Sequence, residues 1–157
     1  SLPNSDLSAG SDDQPILISL SGDKFAIAIC YEDAYGAEQL HALPEAGVLI
    51  NVSNDAWFGR SLGPLQHFQM VRMRAIETGR DLLRATNTGV TAAIGHEGKV
   101  IKRAPQFEVA TLSVEVTPRT GATPYVRWRD WPVLGLIALG LGLLLVSRIR
   151  RHQRAGT

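Results

Sequence analysis

The sequence predicts an α/β domain followed by one membrane-spanning helix. Two apolar runs, Phe25–Ile29 (FAIAI) and Val48–Val52 (VLINV), have the pattern of strands that are buried on both faces. Tyr35–Leu43 lies between them, contains helix-forming residues and is followed by Pro44, which favours a strand–helix–strand unit with parallel strands. Near the C-terminus, Trp131–Val146 contains no charged residue, as expected of a helix in a bilayer.

The composition excludes several classes of protein. The chain has 157 residues, of which 45% are hydrophobic and 20% charged, so it is predicted to be globular and not disordered. A net charge of +1 predicts no general basic surface and no nucleic-acid partner. One cysteine excludes an internal disulfide and any multi-cysteine metal site. Glu38 and His41 have the spacing of only half a di-iron motif, so the sequence predicts no metal and no other cofactor.

The middle of the chain continues the α/β pattern. Pro64 stands at the first position of a predicted helix, which continues through Leu65–Arg80 and ends near Gly79. Residues 96–98 (HEG) predict a hairpin turn between two of the short strands that follow. The predicted strands are Leu82–Ala85, Val90–Ile94, Val100–Ile101 and the alternating, half-buried Ala110–Val116. The predicted order is therefore βαβαβ followed by a β-meander.

The C-terminal segment has the features of a membrane anchor. At about 1.5 Å per residue it covers roughly 25 Å, which suffices where the bilayer thins or Arg148 snorkels. Trp128 and Trp131 lie where an interfacial aromatic belt is expected, and Arg148–Thr157 holds four arginines and no acidic residue. By the positive-inside rule the C-terminus is predicted to be cytoplasmic, with the preceding domain on the other side. A buried helix in a larger soluble assembly is the alternative.

These observations divide the chain into five predicted segments. They are a loop or linker (1–15), a globular domain (16–118), a second linker (119–130), a transmembrane helix (131–147) and a basic cytoplasmic tail (148–157). The first segment is rich in Ser, Asp, Pro and Gly and has no initiator Met, so we expect the chain to be a piece of something longer.

Cys30 is the candidate for covalent chemistry. It lies at the end of a buried strand and before a helix start, where open α/β sheets present reactive groups. The positive end of that helix favours the thiolate, whereas Glu32 and Asp33 oppose it. Packing as a small buried hydrophobe is the alternative role. A Cys–His dyad with His41 or His67 also stays open, although no protease-type signature surrounds Cys30.

Polar loops follow two further predicted strands. Residues 53–59 (SNDAWFG) come directly after VLINV, and residues 84–89 (RATNTG) belong to the next strand and its loop. Loops at the carboxyl ends of parallel strands meet at one edge of the sheet, so we expect both beside Cys30. Trp57 and Phe58 either line an apolar substrate pocket or cap the core. The clustering is typical of a functional site.

Four motifs and the terminal apolar helix carry a family resemblance. They are ICYED (29–33), INVSNDAWFG (50–59), GPLQHFQMVRMRAIETGRDLLRATNTG (63–89) and TPRTGATPY (117–125). Together they resemble the C-terminal portion of bacterial apolipoprotein N-acyltransferases, within the nitrilase superfamily. The resemblance implies the second half of a nitrilase-type α-β-β-α sandwich followed by one C-terminal transmembrane helix. It also implies the bacterial inner membrane, with the catalytic domain in the periplasm.

The implied reaction transfers an acyl chain from a phospholipid donor to the N-terminal amine of a diacylglyceryl-cysteine apolipoprotein. Cys30 corresponds to the nucleophile that forms a thioester, Glu32 to the acid that follows it, and Tyr31 to the residue whose backbone lies near the oxyanion. The implied substrate-binding residues are Asn54, Trp57 and Phe58. Soluble nitrilase-type amidases share the cysteine strand but not SNDAWFG, QHFQM and the terminal span together.

The chain also departs from this family pattern. The family needs a glutamate base and a lysine upstream of the cysteine strand, and the acids and lysine before Cys30 stand in no matching context; they are Asp6, Asp12, Asp13, Asp23 and Lys24. We therefore expect the chain alone to be inactive and incompletely folded until the missing N-terminal half of the same enzyme completes it. The alternatives are a membrane-anchored nitrilase-type amidase and a non-catalytic membrane-anchored module.

Overall fold

The central feature of the protein is a six-stranded mixed sheet, seen in a computed structural model that describes residues 16–155. The strands lie in sequence order: β1 Leu17–Ile18, β2 Lys24–Ile29, β3 Val48–Ser53, β4 Asp81–Thr86, β5 Ala92–Ile94 and β6 Val100–Arg103. β2, β3 and β4 are parallel, and the other pairs are antiparallel. The predicted α/β class is confirmed, and β4, β5 and β6 form the first three strands of the predicted meander. The predicted linker 1–15 and the last two residues of the predicted tail lie outside the described residues.

The connection between β2 and β3 differs from the prediction. Two short 3₁₀ helices, Cys30–Ala34 and Glu38–Ala42, replace the single helix predicted over residues 35–43. Gly36 lies between them, and glycine weakens a helix interior. The next connection contains α1, Gly63–Thr78, and the left-handed Gly79 ends it with φ +65°. The sequence therefore predicted α1 to within about two residues.

The parallel strands have two different faces. One face packs toward α1 and buries a row of three residues in register, Ala28, Asn51 and Arg84. Because successive side chains alternate between faces, the next row lies on the opposite side of the sheet. That row consists of Ile29, Val52 and Ala85, and Ile29 is 60% exposed. The second face is thus apolar and incompletely covered within the described residues, as expected of half a sandwich.

The segment Ala110–Val116 is not a strand, so that prediction is wrong. Its alternation is nevertheless real, because Leu112, Val114 and Val116 are half-buried while the residues between them are exposed. Residues 110–114 line a groove together with Ile50 and Leu83. The segment places its apolar side chains along the second face of the sheet but does not pair with β6. Its side chains therefore alternate in burial as in a strand, although its backbone forms no strand.

The C-terminal part contains α2, Pro124–Trp128, within the predicted linker 119–130, and α3, Trp131–Ala155. Chain contacts divide the structure into two units between Val126 and Arg127. Over Trp131–Ile149, α3 is long and apolar enough to cross a membrane, with a mean hydropathy of 2.1 and no buried part. It is the one such helix among the described residues, and it extends past the predicted end at residue 147.

Candidate active site

Cys30 lies in a strained turn at the carboxyl end of β2. Its φ of +55° is in the left-handed region, which costs a residue with a side chain about 1–3 kcal/mol. The Ile29 amide donates a hydrogen bond of 2.6 Å to Glu32 Oε2, and this bond closes the turn. The Cys30 side chain is half-buried. The structure thus places the thiol at the edge of the sheet that the sequence predicts, in a backbone conformation typical of functional sites.

Two side chains of β3 support this turn from the neighbouring strand. Asn51 Nδ2 donates to the carbonyl oxygens of Ala28 (3.3 Å) and Cys30 (3.2 Å). Ser53 Oγ lies 3.7 Å from Cys30 Sγ and 2.7 Å from Asp55 Oδ1. Asn51 is fully buried, and its two bonds hold the carbonyl group of the strained Cys30 and that of Ala28, two residues before it.

Four ionisable side chains form a buried ion cluster behind the turn: Asp33, Asp55, His67 and Arg84. Arg84 bridges the two carboxylates, with Nη1 3.1 Å from Asp33 Oδ2 and Nη2 2.9 Å from Asp55 Oδ2. His67 lies between the same carboxylates, with Nε2 2.8 Å from Asp33 and Nδ1 3.1 Å from Asp55. Each of the four is at most 2% exposed. Charges buried so deeply persist only when paired, so the cluster is one electrostatic unit.

The charge state of the cluster follows from competing effects. Burial and the Arg84 charge lower the pKa of His67, but the hydrogen bonds to Asp33 and Asp55 and the charge of Asp33 outweigh them, so the pKa is raised. Burial raises the pKa of Asp55, but the Ser53 hydroxyl and Arg84 outweigh it, so that pKa is lowered. When His67 is protonated, an imidazolium, a guanidinium and two carboxylates make the cluster formally neutral. Since both ring nitrogens are engaged, His67 is not placed to accept a proton from Cys30.

The other predicted site residues lie at the same edge of the sheet. Tyr31 is exposed, and its ring centroid lies 5.3 Å from that of His67. Asn54 Oδ1 accepts hydrogen bonds from the Ala56 amide (3.1 Å) and from Asn87 Nδ2 (2.6 Å). Asn54 therefore joins the loop after β3 to the loop after β4, as expected for loops that meet at one edge.

Trp57 and Phe58 do not cap the core. Trp57 is 84% exposed, and Phe58 is also exposed, with its ring against Gly63 at the start of α1. Any side chain at position 63 would collide with that ring. Of the two roles left open by the sequence, capping the core disagrees with this exposure, and lining a substrate pocket stays a prediction.

Sequence reasoning placed Ser53, Asp55 and Arg84 in segments expected beside Cys30 and weighed His67 only as a dyad partner. It did not predict the buried ion cluster, and it missed Asn51. A signal was present, because Asn51 and Arg84 interrupt apolar strands at neighbouring register positions. A polar residue inside a doubly buried strand needs a buried partner. The sequence does not identify that partner, because Asp33 and Arg84 are 51 residues apart.

The fold and this edge of the sheet define the class of the protein. Residues 4–125 match the sequence profile of the carbon–nitrogen hydrolase family, and the chain belongs to that family. A carbon–nitrogen hydrolase from Helicobacter pylori G27 superposes with a TM-score of 0.52 over 60% of this chain and 40% of its own, at 18% identity. A variant of the Nesterenkonia AN1 amidase from the nitrilase superfamily superposes with a TM-score of 0.50 over 70% of this chain and 41% of its own, also at 18% identity. These likenesses show the nitrilase fold.

Within this class, the chain is similar to apolipoprotein N-acyltransferases. It is 49% identical to the Azotobacter vinelandii enzyme over 98% of this chain and 29% of the relative. The Methylococcus capsulatus enzyme is 48% identical over 99% of this chain and 30% of the relative. The Nitrosomonas europaea enzyme is 51% identical over 93% of this chain and 28% of the relative. The chain spans about three tenths of the length of these curated relatives. The family resemblance carried by the four motifs is confirmed.

The raised pKa of His67 predicts a pH-dependent stability. Its stabilising contribution is complete below the unfolded value near 6.5 and is lost as the pH rises through the higher folded value. Deprotonation leaves one uncompensated negative charge among Asp33, Asp55 and Arg84. We therefore expect the free energy of unfolding to fall as the pH rises above about 6.5. Asp55 acts oppositely, and its contribution is lost at acidic pH as the pH falls through its lowered folded pKa.

This dependence is measurable in a chimera in which the chain replaces its matching segment in the Azotobacter vinelandii relative. Pulse proteolysis in urea, repeated from about pH 5.5 to about pH 8.5, reports the free energy of unfolding. His67→Gln should flatten the decline, whereas His96→Gln, at a more exposed histidine, should leave it in place. An unchanged decline in His67→Gln would assign it to another group.

Proposed function

We propose that this chain contributes the nucleophile of an apolipoprotein N-acyltransferase, which moves an acyl chain from a phospholipid to the N-terminal amine of a diacylglyceryl-cysteine lipoprotein. The strained Cys30 turn at the end of β2 supports this function most directly, in a chain that is 49% identical to such an enzyme over 98% of its length. A thiol presented in this way is suited to covalent catalysis through a thioester.

The reaction has two half-reactions. In the first, the Cys30 thiolate attacks the ester carbonyl carbon of the phospholipid, a C–S bond forms, and the C–O bond to the glycerol breaks. The lysophospholipid oxygen leaves with the proton that the Cys30 thiol gave to the base when the thiolate formed. In the second, the lipoprotein amine attacks the thioester, a C–N bond forms, the C–S bond breaks, and the amine gives up a proton as the thiolate returns. The backbone beside Tyr31 is proposed to face the developing oxyanion.

Glu32 has a positioning role in this scheme. Its carboxylate accepts the Ile29 amide proton at 2.6 Å, so its charge is engaged in closing the Cys30 turn. Such a contact favours retention of the strained φ during both half-reactions. The base that receives the amine proton, and the lysine that stabilises the tetrahedral intermediate, are proposed to come from the N-terminal half of the enzyme.

The apolar surface after β3 is proposed to bind acyl chains. Trp57 is highly exposed, and Phe58 and Leu62 expose further apolar area on the same loop. Exposed apolar surface of this kind favours lipid or protein contact. Asn54 links this loop to Asn87 and keeps it beside the strand that ends at Ser53.

The second face of the sheet supports the need for an N-terminal half. Ile29 and Val52 are exposed there although they flank the nucleophile strand. A second sheet packed on this face would bury them and bring further polar groups to Cys30. The chain spans 29% of its Azotobacter vinelandii relative, so such residues have ample sequence to come from.

The membrane location agrees with a lipid substrate. We infer that α3 spans the bacterial inner membrane, because its apolar length and its arginine-rich end fit a span with a cytoplasmic C-terminus. The domain that carries Cys30 is then periplasmic and can meet phospholipid and apolipoprotein at the membrane surface.

The covalent intermediate tests the function. The chimera is incubated in detergent with phosphatidylethanolamine and digested. The mass of the peptide that contains Cys30 is then measured by mass spectrometry. We expect the mass of one acyl chain on that peptide, removable by hydroxylamine and lost on adding a diacylglyceryl peptide. An unmodified Cys30 peptide in a chimera that transfers acyl groups would contradict the assignment of the nucleophile. Turnover of small amides without phospholipid would favour an amidase.

A further inference from the structure

Ser53 brings a hydroxyl within hydrogen-bond reach of the candidate nucleophile. It is the last residue of β3, and its Oγ lies 3.7 Å from Cys30 Sγ. The same oxygen lies 2.7 Å from Asp55 Oδ1, a carboxylate of the buried ion cluster. Ser53 is half-buried in a groove that it shares with Asn54, Thr86 and Asn87.

The hydroxyl has one proton and two neighbouring acceptors. While Cys30 is a thiol, the carboxylate of Asp55 is the stronger acceptor and the shorter contact, so it takes the proton. When Cys30 becomes a thiolate, the sulphur is a charged acceptor on the other side of the same oxygen. Turning the proton to sulphur does not leave Asp55 unpaired, because Arg84 and His67 still contact it at 2.9 and 3.1 Å.

The buried ion cluster gives this hydroxyl a defined position. Asp55 is fully buried and held by Arg84, and its amide donates to Asn87 Oδ1 at 3.1 Å. The carboxylate also lies directly against Gly89, where any side chain would collide with Asp55 Oδ2. An anchored carboxylate restricts the rotation of Ser53 and keeps its oxygen beside the sulphur.

We propose that Ser53 is a catalytic hydrogen-bond donor to the Cys30 thiolate, and that Asp55 is a positioning residue that holds the Ser53 oxygen beside the sulphur until the thiolate forms. The inference rests on the proposed function, in which the thiolate exists before attack on the phospholipid and again after the thioester is cleaved. A preorganised donor that strengthens as charge develops stabilises the thiolate at both points.

Alkylation of Cys30 tests this donor without requiring acyl transfer. Iodoacetamide reacts with the thiolate, and the modified Cys30 peptide of the chimera is quantified by mass spectrometry over time. We expect Ser53→Ala to alkylate about tenfold more slowly at about pH 7, the size expected when one hydrogen bond to a charged group is lost. Ser53→Thr keeps the hydroxyl and should react like the unaltered protein. Ser61→Ala removes an exposed serine that caps the Gly63 amide and serves as the matched control.

The isosteric pair Ser53→Thr and Ser53→Val repeats the comparison with the side-chain shape held constant. Equal or faster alkylation in Ser53→Ala, and equal rates for Thr and Val, would overturn the inference. If the chimera transfers acyl groups but its alkylation rate does not depend on Ser53, this inference is wrong and the proposed function stands. If the alkylation rate depends on Ser53 but the chimera transfers no acyl group, the proposed function is contradicted and the hydrogen bond from Ser53 to the thiolate is supported.

Discussion

Replacing Cys30 by alanine in the chimera is expected to reduce acyl transfer from phospholipid to a diacylglyceryl peptide by at least about 10³-fold. In the proposed mechanism, alanine removes the sulphur that forms the thioester. No neighbouring group among the described residues replaces it, because the Ser53 hydroxyl is bonded to Asp55. Because Cys30 is half-buried, its replacement by alanine should cost little stability, and loss of folding would not explain so large an effect. The rate of N-acyl peptide formation, followed by mass spectrometry, measures the change.

A matched variant separates chemistry from general disturbance of the site. Ser61→Ala lies on the same exposed loop as Trp57 and should transfer acyl groups at the unaltered rate. If Cys30→Ala kept more than about a tenth of the activity, Cys30 would be a packing residue, since loss of a covalent nucleophile costs far more than that. The non-catalytic, membrane-anchored interpretation would then gain support.

Replacing Arg84 by methionine is expected to lower the free energy of unfolding by about 3–5 kcal/mol. Arg84 contacts both carboxylates of the buried ion cluster and is itself 2% exposed. Methionine fills much of the space but leaves Asp33 and Asp55 with only His67 to balance them. One negative charge then stays buried without a partner, which costs more than the ion pairs contributed. Pulse proteolysis of the chimera in urea measures the loss.

An exposed ion pair provides the comparison. Lys99 Nζ lies 3.0 Å from Glu97 Oε2, and the side chains are 81% and 59% exposed. Lys99→Met also removes one positive charge, but solvent screens it, so the cost should stay below about 1 kcal/mol. Arg84→Lys should fall between the two, because one ammonium cannot bridge both carboxylates as the guanidinium does. Equal costs for Arg84→Met and Lys99→Met would show that the cluster adds little to stability.

The strands β2 to β6 and α1 were predictable because each carries a local pattern, whereas the two-residue β1 was not predicted. Phe25–Ile29 and Val48–Val52 are apolar on both sides, and Pro64 and Gly79 mark the two ends of α1. The failure at Ala110–Val116 has the same origin. Alternating burial predicts which side chains face an apolar surface, but it does not distinguish a paired strand from an extended segment that lies on a sheet.

The amino-acid sequence by itself determined the α/β class, the location of Cys30 at a strand end, the apolar terminal helix and the family resemblance. Each of these depends on residues that are neighbours in the chain. Only the tertiary structure decided the left-handed turn at Cys30, the contact with Ser53 and the buried ion cluster. Asp33, His67 and Arg84 meet because the parallel register of β2, β3 and β4 brings distant residues to one edge beneath α1. Electrostatic and hydrogen-bond energies depend on such distances, which linear spacing does not specify.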